Sequence, residues 1–196
     1  MKLAEYFKGK MEMVMSLSAI LVAIVAVVVA MYEADINREQ ARLAVQPSLW
    51  MAQNWGVQDE NVPYFSLEIR NLGLGPAIVE NFTVKYKGRY FKNWDAYLQA
   101  VTDGKKIMRG DDANVRDWSM STIDPGRVIP AGDSVVPIHL RGDREVVDAM
   151  RIAFTSSELT ICFCSFYGEC WQATGLGGRP EPVNRCLYKE EEFFNQ

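Results

Sequence analysis

The stretch Tyr64-Phe65-Ser66-Leu67-Glu68-Ile69-Arg70 sets Phe65, Leu67 and Ile69 against Ser66, Glu68 and Arg70 in strict alternation. Successive side chains of an extended chain point to opposite faces, so the pattern predicts a strand with one face in a core and the other in water. Immediately downstream, Asn71-Leu72-Gly73-Leu74-Gly75-Pro76-Ala77 stacks turn formers, and a second strand is expected through Ile78, Phe82 and Val84. Lys87-Gly88-Arg89 reads as a hairpin turn into Tyr90-Phe91. Further strands are expected at Trp118 to Ile123, after the Asp124-Pro125-Gly126 turn, at Ser134 to Leu140, at Arg151 to Thr155, and at Leu159 to Thr174, the last folding over at Tyr167-Gly168. Two short helices interrupt them. Asn93 stands where a cap would for WDAYLQAV, with Trp94, Tyr97, Leu98 and Val101 on one face and Gly104 ending it, and Asp143 stands likewise before REVVDAM. About seven short strands at this spacing predict a mainly β chain, an antiparallel sandwich over residues 47–174.

The N-terminus has a different period. From Met13 to Tyr32 the chain runs MVMSLSAILVAIVAVVVAMY without an ionisable side chain, and as a helix that length spans ~30 Å, the thickness of a hydrocarbon core. A transmembrane helix over 13–32 is therefore expected, with 1–12 as a cytoplasmic tail and 33–46 as a juxtamembrane helix and linker ended by Pro47. Lys2, Lys8 and Lys10 lie before the span, while Arg38 and Arg42 beyond it are diluted by Glu33, Asp35 and Glu39, which places the globular part in a periplasm-like space. The competing reading is a signal peptide cut after Ala30, with Val28 at −3. Ser16, Ala19, Ala23, Ala26 and Ala30 recur at spacings of 3, 4, 3 and 4, a seam of small residues on which another transmembrane helix, or a second copy, could pack closely.

Composition closes other routes. The first 45 residues hold five of the 21 basic and five of the 25 acidic side chains, so the remainder carries the whole net charge of −4. Such a domain lacks the basic footprint of a nucleic-acid binder. Its densest basic run, Lys105-Lys106 with Arg109, is followed at once by Asp111-Asp112, which argues against a polybasic lipid site.

All four cysteines fall late, at Cys162, Cys164, Cys170 and Cys186. In an extracytoplasmic domain they read as two disulfides. Cys162 and Cys164 share a strand face and Cys170 lies on the returning strand, so one of the first two should pair with Cys170 and the other with Cys186. The second bond would pin the glycine- and proline-rich tail, residues 175–196, to the sheet. Zinc is the competing reading, but the C-x-C-x5-C-x15-C spacing lacks paired knuckles. Thiol chemistry at Cys162-Phe163-Cys164 has no cationic or helix N-terminal neighbour in sequence. His139, the only histidine, sits in an alternating segment without a nucleophile elbow, so a structural place is expected. Gly175-Leu176-Gly177-Gly178 lacks the strand and helix a phosphate cradle needs, and Asp111-Asp112 and Glu190-Glu191-Glu192 lack a calcium-loop pattern. Asn81-Phe82-Thr83 is a glycosylation sequon inside a strand pattern. No catalytic, cofactor or metal residues are expected.

The runs Asn71-x-Gly73-x-Gly75-Pro76-Ala77, Ile129-Pro130-Ala131-Gly132-Asp133-Ser134 and Ser165-Phe166-Tyr167-Gly168-Glu169-Cys170-Trp171 resemble those of bacterial single-pass membrane proteins with an immunoglobulin-like, CARDB-like sandwich. The resemblance covers Gln46 to Thr174 and implies a fold and an inner-membrane location, but no activity. The functional expectation is a non-catalytic accessory or scaffold protein that engages a partner through its helix and its sandwich. The alternatives are a peptide- or glycan-binding module, which would cluster exposed aromatics among Trp50, Trp55, Trp94, Trp118 and Trp171, and a thiol-redox protein using Cys162 and Cys164.

Overall fold

The computed structural model describes residues 2–58, 61–103, 115–187 and 192–194, with the backbone alone for 2–10 and 12. The expectations at Gly104, Lys105-Lys106, Arg109, Asp111-Asp112 and Glu190-Glu191 lie outside the described residues. The chain forms two units, residues 1–44 and 45–196.

The first unit is one helix, α1 (Lys2–Leu43). Its candidate span begins at Met13, and none of its most apolar window is buried. Ser16, Ala19, Ala23, Ala26 and Ala30 fall within an arc of about 80° at 3.6 residues per turn. Ser16 Oγ donates to its own helix at Met13 O, 3.3 Å away.

The second unit is a sandwich of two antiparallel sheets. One sheet has the order β1 (Leu49–Gln58), β2 (Val62–Asn71), β7 (Ser134–Gly142), β5 (Val115–Met120). The other runs β10 (Glu181–Val183), β9 (Cys170–Thr174), β8 (Glu158–Cys164), β3 (Ala77–Tyr86), β4 (Arg89–Phe91), with β6 (Val128–Ile129) also on β3. Phe65, Leu67 and Ile69 from the first sheet and Val79, Phe82 and Phe163 from the second belong to one buried core. Phe65, Leu67 and Ile69 are buried as their alternation requires and Arg70 is exposed, but Ser66 on the opposite face is buried too.

Departures from the sequence reading have local causes. In β3 the register against β8 shifts between Val79 and Asn81. A bulge reverses which residues face inward, so Ala77 and Val79 are buried before it, Phe82 and Val84 after it, and Ile78 is left half-exposed. Arg151 to Thr155, expected as a strand, is instead the second half of α3 (Arg144–Thr155). Val146, Val147, Met150, Ala153 and Phe154 are its buried residues. That i, i+1, i+4, i+7, i+8 pattern, one face of a whole helix, outweighs the β propensity of five residues. Asp143 makes no side-chain cap bond, whereas Asn93 Oδ1 accepts from Ala96 N at 2.8 Å and caps α2 (Trp94–Val101) as expected. The edge strand β1 carries no clean alternation beyond Met51, and β6 is too short to show a period. Strand β1 is absent from the sequence expectations, whereas β6 follows the Asp124-Pro125-Gly126 turn, where a strand is expected.

The two ends of the sandwich are closed differently. At one, α2 and α3 insert aromatic rings: Phe154 lies 4.7 Å from Phe65 and 5.3 Å from Tyr97, and Trp94 lies 4.6 Å from Phe194, ring centre to ring centre. Burial pushes up the pKa of the Tyr97 phenol, against the hydrogen bond it makes with Ser157 Oγ. At the other end the buried side chain of Asn71 acts as a junction. Its Oδ1 accepts from Ser48 N at 3.1 Å and Gly73 N at 3.0 Å, and its Nδ2 donates to Gly75 O at 2.8 Å and Ile129 O at 3.0 Å. These four groups come from the approach to β1, the β2–β3 connection and β6, so one residue ties both sheets to the entering chain.

Gly73 and Gly75 let that junction close. A Cβ on Gly75 would lie 1.9 Å from Val45 O, and one on Gly73 would lie 2.4 Å from Ser48 N. Both obstacles are backbone and cannot swing aside. Replacing Gly75 by Ala should destabilise the domain by about 2 kcal/mol through overpacking, and Asn71→Ala should cost at least as much by orphaning several buried backbone groups. Denaturant unfolding of both variants checks this, with Gly88→Ala, whose added Cβ meets no atom within 4 Å, as a comparison that should lose less.

Candidate functional site

The register places five segments at the Asn71 end. Leu49 pairs with Asn71, so the start of β1 and the finish of β2 lie there. Ile78 pairs with Cys164, which brings in the start of β3 and the β8–β9 hairpin. Val183 pairs with Cys170, which delivers the tail leading to Cys186.

Both disulfides sit here. Cys162 is bonded to Cys186 and Cys164 to Cys170, and among the described residues there is no free cysteine. This is one of the two arrangements the sequence left open. Leu159, Ile161 and Phe163 of β8 face the core, so Cys162 and Cys164 face outward by alternation. They are nevertheless only 3% and 8% exposed. The sulfurs of Cys164, Cys170 and Cys186 lie within 4.8 Å of one another, compact enough for a metal, but each is committed to an S–S bond.

On this framework the loops present apolar side chains to solvent. Leu72 is 60% exposed, Leu74 73%, Phe166 66%, Tyr167 54% and Leu187 72%. The β2–β3 connection turns its glycines against residues 45–48 and its leucines outward. It is stitched in place by Leu72 N to Ser48 O at 2.8 Å and Leu74 N to Gln46 O at 2.9 Å. The hairpin tip is held by Cys164–Cys170, by Ser165 N to Glu169 O at 2.8 Å, and by Tyr167 N to Ser165 Oγ at 3.2 Å. Loops fixed in place that display large apolar residues bind with little ordering cost, and exposed apolar side chains gathered at one end of a domain are a feature of interaction sites. The sequence held a signal: leucines alternating with glycines in a turn, and an aromatic pair at a hairpin tip.

Other candidates separate from this end. Trp50 and Trp55 are exposed, but five residues apart on β1 they point to opposite faces. Arg151 covers the Trp55 ring at 4.9 Å. Trp94 is core, and Trp118 and Trp171 pack against it, so the tryptophans make no common platform. His139 stacks on Tyr64 at 5.9 Å, ring centre to ring centre, on the outer face of the first sheet. Asn81, the sequon residue, is buried. An open cleft of about 300 Å³ along β9 and β10 is lined by Gln172, Thr174, Gly178, Arg179, Glu181 and Val183. Comparison with family models, with curated proteins and with solved structures finds no match to this chain.

The disulfides close loops of different length, 24 and six residues in sequence separation. Loop-closure entropy makes the longer one worth more, about 3.5 against about 2.4 kcal/mol. Unfolding midpoints should therefore fall further for the Cys162→Ala/Cys186→Ala pair than for Cys164→Ala/Cys170→Ala.

Proposed function

We propose that this chain is a membrane-anchored, non-catalytic accessory or scaffold protein, held in a bacterial inner membrane by α1 with its N-terminus in the cytoplasm and its sandwich in the periplasm. The observation that carries the reading is the helix itself. From Met13 onward its most apolar window is entirely exposed, and a surface apolar on every side over that length is stable in lipid rather than in water. Two disulfides fit the oxidising compartment that this orientation gives the domain. Kinship with CARDB-like anchored sandwiches belongs to the same proposal and rests on the turn residues alone.

The partner surface has two parts in this reading. Within the bilayer, the arc from Ser16 to Ala30 accepts a neighbouring helix, because small side chains let backbones approach where lipid offers no hydrophobic driving force. Outside it, the loop end with Leu72, Leu74, Phe166 and Tyr167 is the docking face.

An Ala23→Leu/Ala26→Leu variant should stay in the membrane through alkaline carbonate washing, yet lose at least tenfold of the companion protein, or of the self-association, recovered with the wild type after gentle solubilisation. Undiminished recovery would count against the helix seam. A mature chain beginning at Met31, read from its intact mass, would sink the anchor.

A further inference from the structure

We propose that the two disulfides are an exchange pair, in which reduction of Cys164–Cys170 from solvent is passed on through Cys186 and ends with Cys162 as the free thiol. Two of the four cysteines, Cys170 and Cys186, are half-exposed, and two, Cys164 and Cys162, are buried. Cys170 is half-exposed, its sulfur 3.6 Å from Gly168 O at the hairpin surface. Its partner Cys164 is nearly buried, and the Sγ of Cys164 lies 4.0 Å from that of Cys186, which belongs to the other bond. Cys162, the far end of that bond, is the most enclosed of the four.

Thiol–disulfide exchange proceeds by attack of a thiolate on a disulfide sulfur, so its first demand is contact between the two. Cys164 and Cys186 already meet it. Reaching bonding distance takes about 2 Å of sulfur travel, within reach of side-chain rotation. Cys162 and Cys164 lie on one face of β8, so the tail bonded to the first stands over the second.

The chemistry balances with a dithiol as reductant. One of its thiolates attacks Cys170 Sγ and expels Cys164 as thiolate. Its second thiol then resolves the mixed disulfide, releasing Cys170 as a thiol and leaving the reductant as a disulfide. The Cys164 thiolate attacks Cys186 Sγ, forms Cys164–Cys186, and expels Cys162, which takes a proton from water. Two electrons enter, one disulfide is lost, and the surviving bond has moved. The clasp under Phe166 and Tyr167 opens while the tail stays attached, so the product is a hairpin freed at its tip rather than a domain with a loose terminus.

Full-length protein in detergent micelles, treated with limiting dithiothreitol at pH 8, quenched with acid, alkylated and mapped by mass spectrometry, tests this directly. The singly reduced species is expected to carry Cys164–Cys186 in at least a tenth of molecules, with alkyl groups on Cys162 and Cys170. Adducts on Cys164 and Cys170 above an intact Cys162–Cys186 in all but a smaller fraction would overturn the proposal. Comparable amounts of Cys162–Cys170 and Cys170–Cys186 would also overturn it, since they mark general scrambling. A Cys170→Ser variant supplies the second arm: with no reductant added, maleimide should label Cys162 as well as Cys164, and labelling confined to Cys164 would refute the exchange. Both readouts are independent of whether the chain has a partner.

Discussion

Four backbone groups, on Ser48, Gly73, Gly75 and Ile129, are bonded by the single buried side chain of Asn71. An amide is the only neutral side-chain group that offers both an acceptor and two donors in one plane, and this junction uses both kinds. Aspartate would present oxygens to two carbonyls, and leucine would make none of the four bonds. The Asn71 backbone contributes too, with its N bonded to Asp133 O and its O receiving Gly132 N, both at 2.9 Å. The crossing between sheets, the entry of the chain and the turn before β7 therefore share one anchor. The apolar loops can be rigid because their inner edge is fixed there.

Much of this was legible in the sequence where the cause is local. The alternation around Phe65, the Lys87-Gly88 turn, the Asn93 cap and the apolar run from Met13 each depend on a few neighbouring residues. What escaped was non-local. The bulge at Val79 to Asn81 arises from pairing with a strand some eighty residues away. The continuation of α3 through Phe154 depends on the aromatic cluster it completes, with Phe65 on β2 and Trp94 on α2 as its neighbours. The cysteine spacing limited the pairing to two arrangements but could not select one, since Cys162 and Cys164 share a strand face. Asn71 stood out only as a turn former, because its role exists only once Ile129 has arrived from fifty-eight residues downstream.

The tail shows how a segment of poor intrinsic propensity is held by long-range links. Residues beyond Thr174 are rich in glycine and proline, yet β10 pairs with β9, Cys186 is bonded to Cys162, and Phe194 enters the core against Phe82 and Trp94. Three fixings of different kinds, spaced along the tail, each shorten the stretch that must be ordered and so reduce the entropy opposing the next.

One of those contacts matters for colloidal behaviour. Strand β1 is ten residues long and lies at the margin of its sheet, where unpaired amides and carbonyls are a template for a foreign strand. The tail turn covers part of that margin, Gly177 N donating to Met51 O at 2.8 Å. At the margin of the other sheet, β10 carries Pro182, which has no amide hydrogen to offer. Proteolytic loss of the tail would uncover β1 beside Met51 and remove the proline-bearing guard strand together, leaving the sandwich with two open margins and a route to edge-to-edge polymerisation.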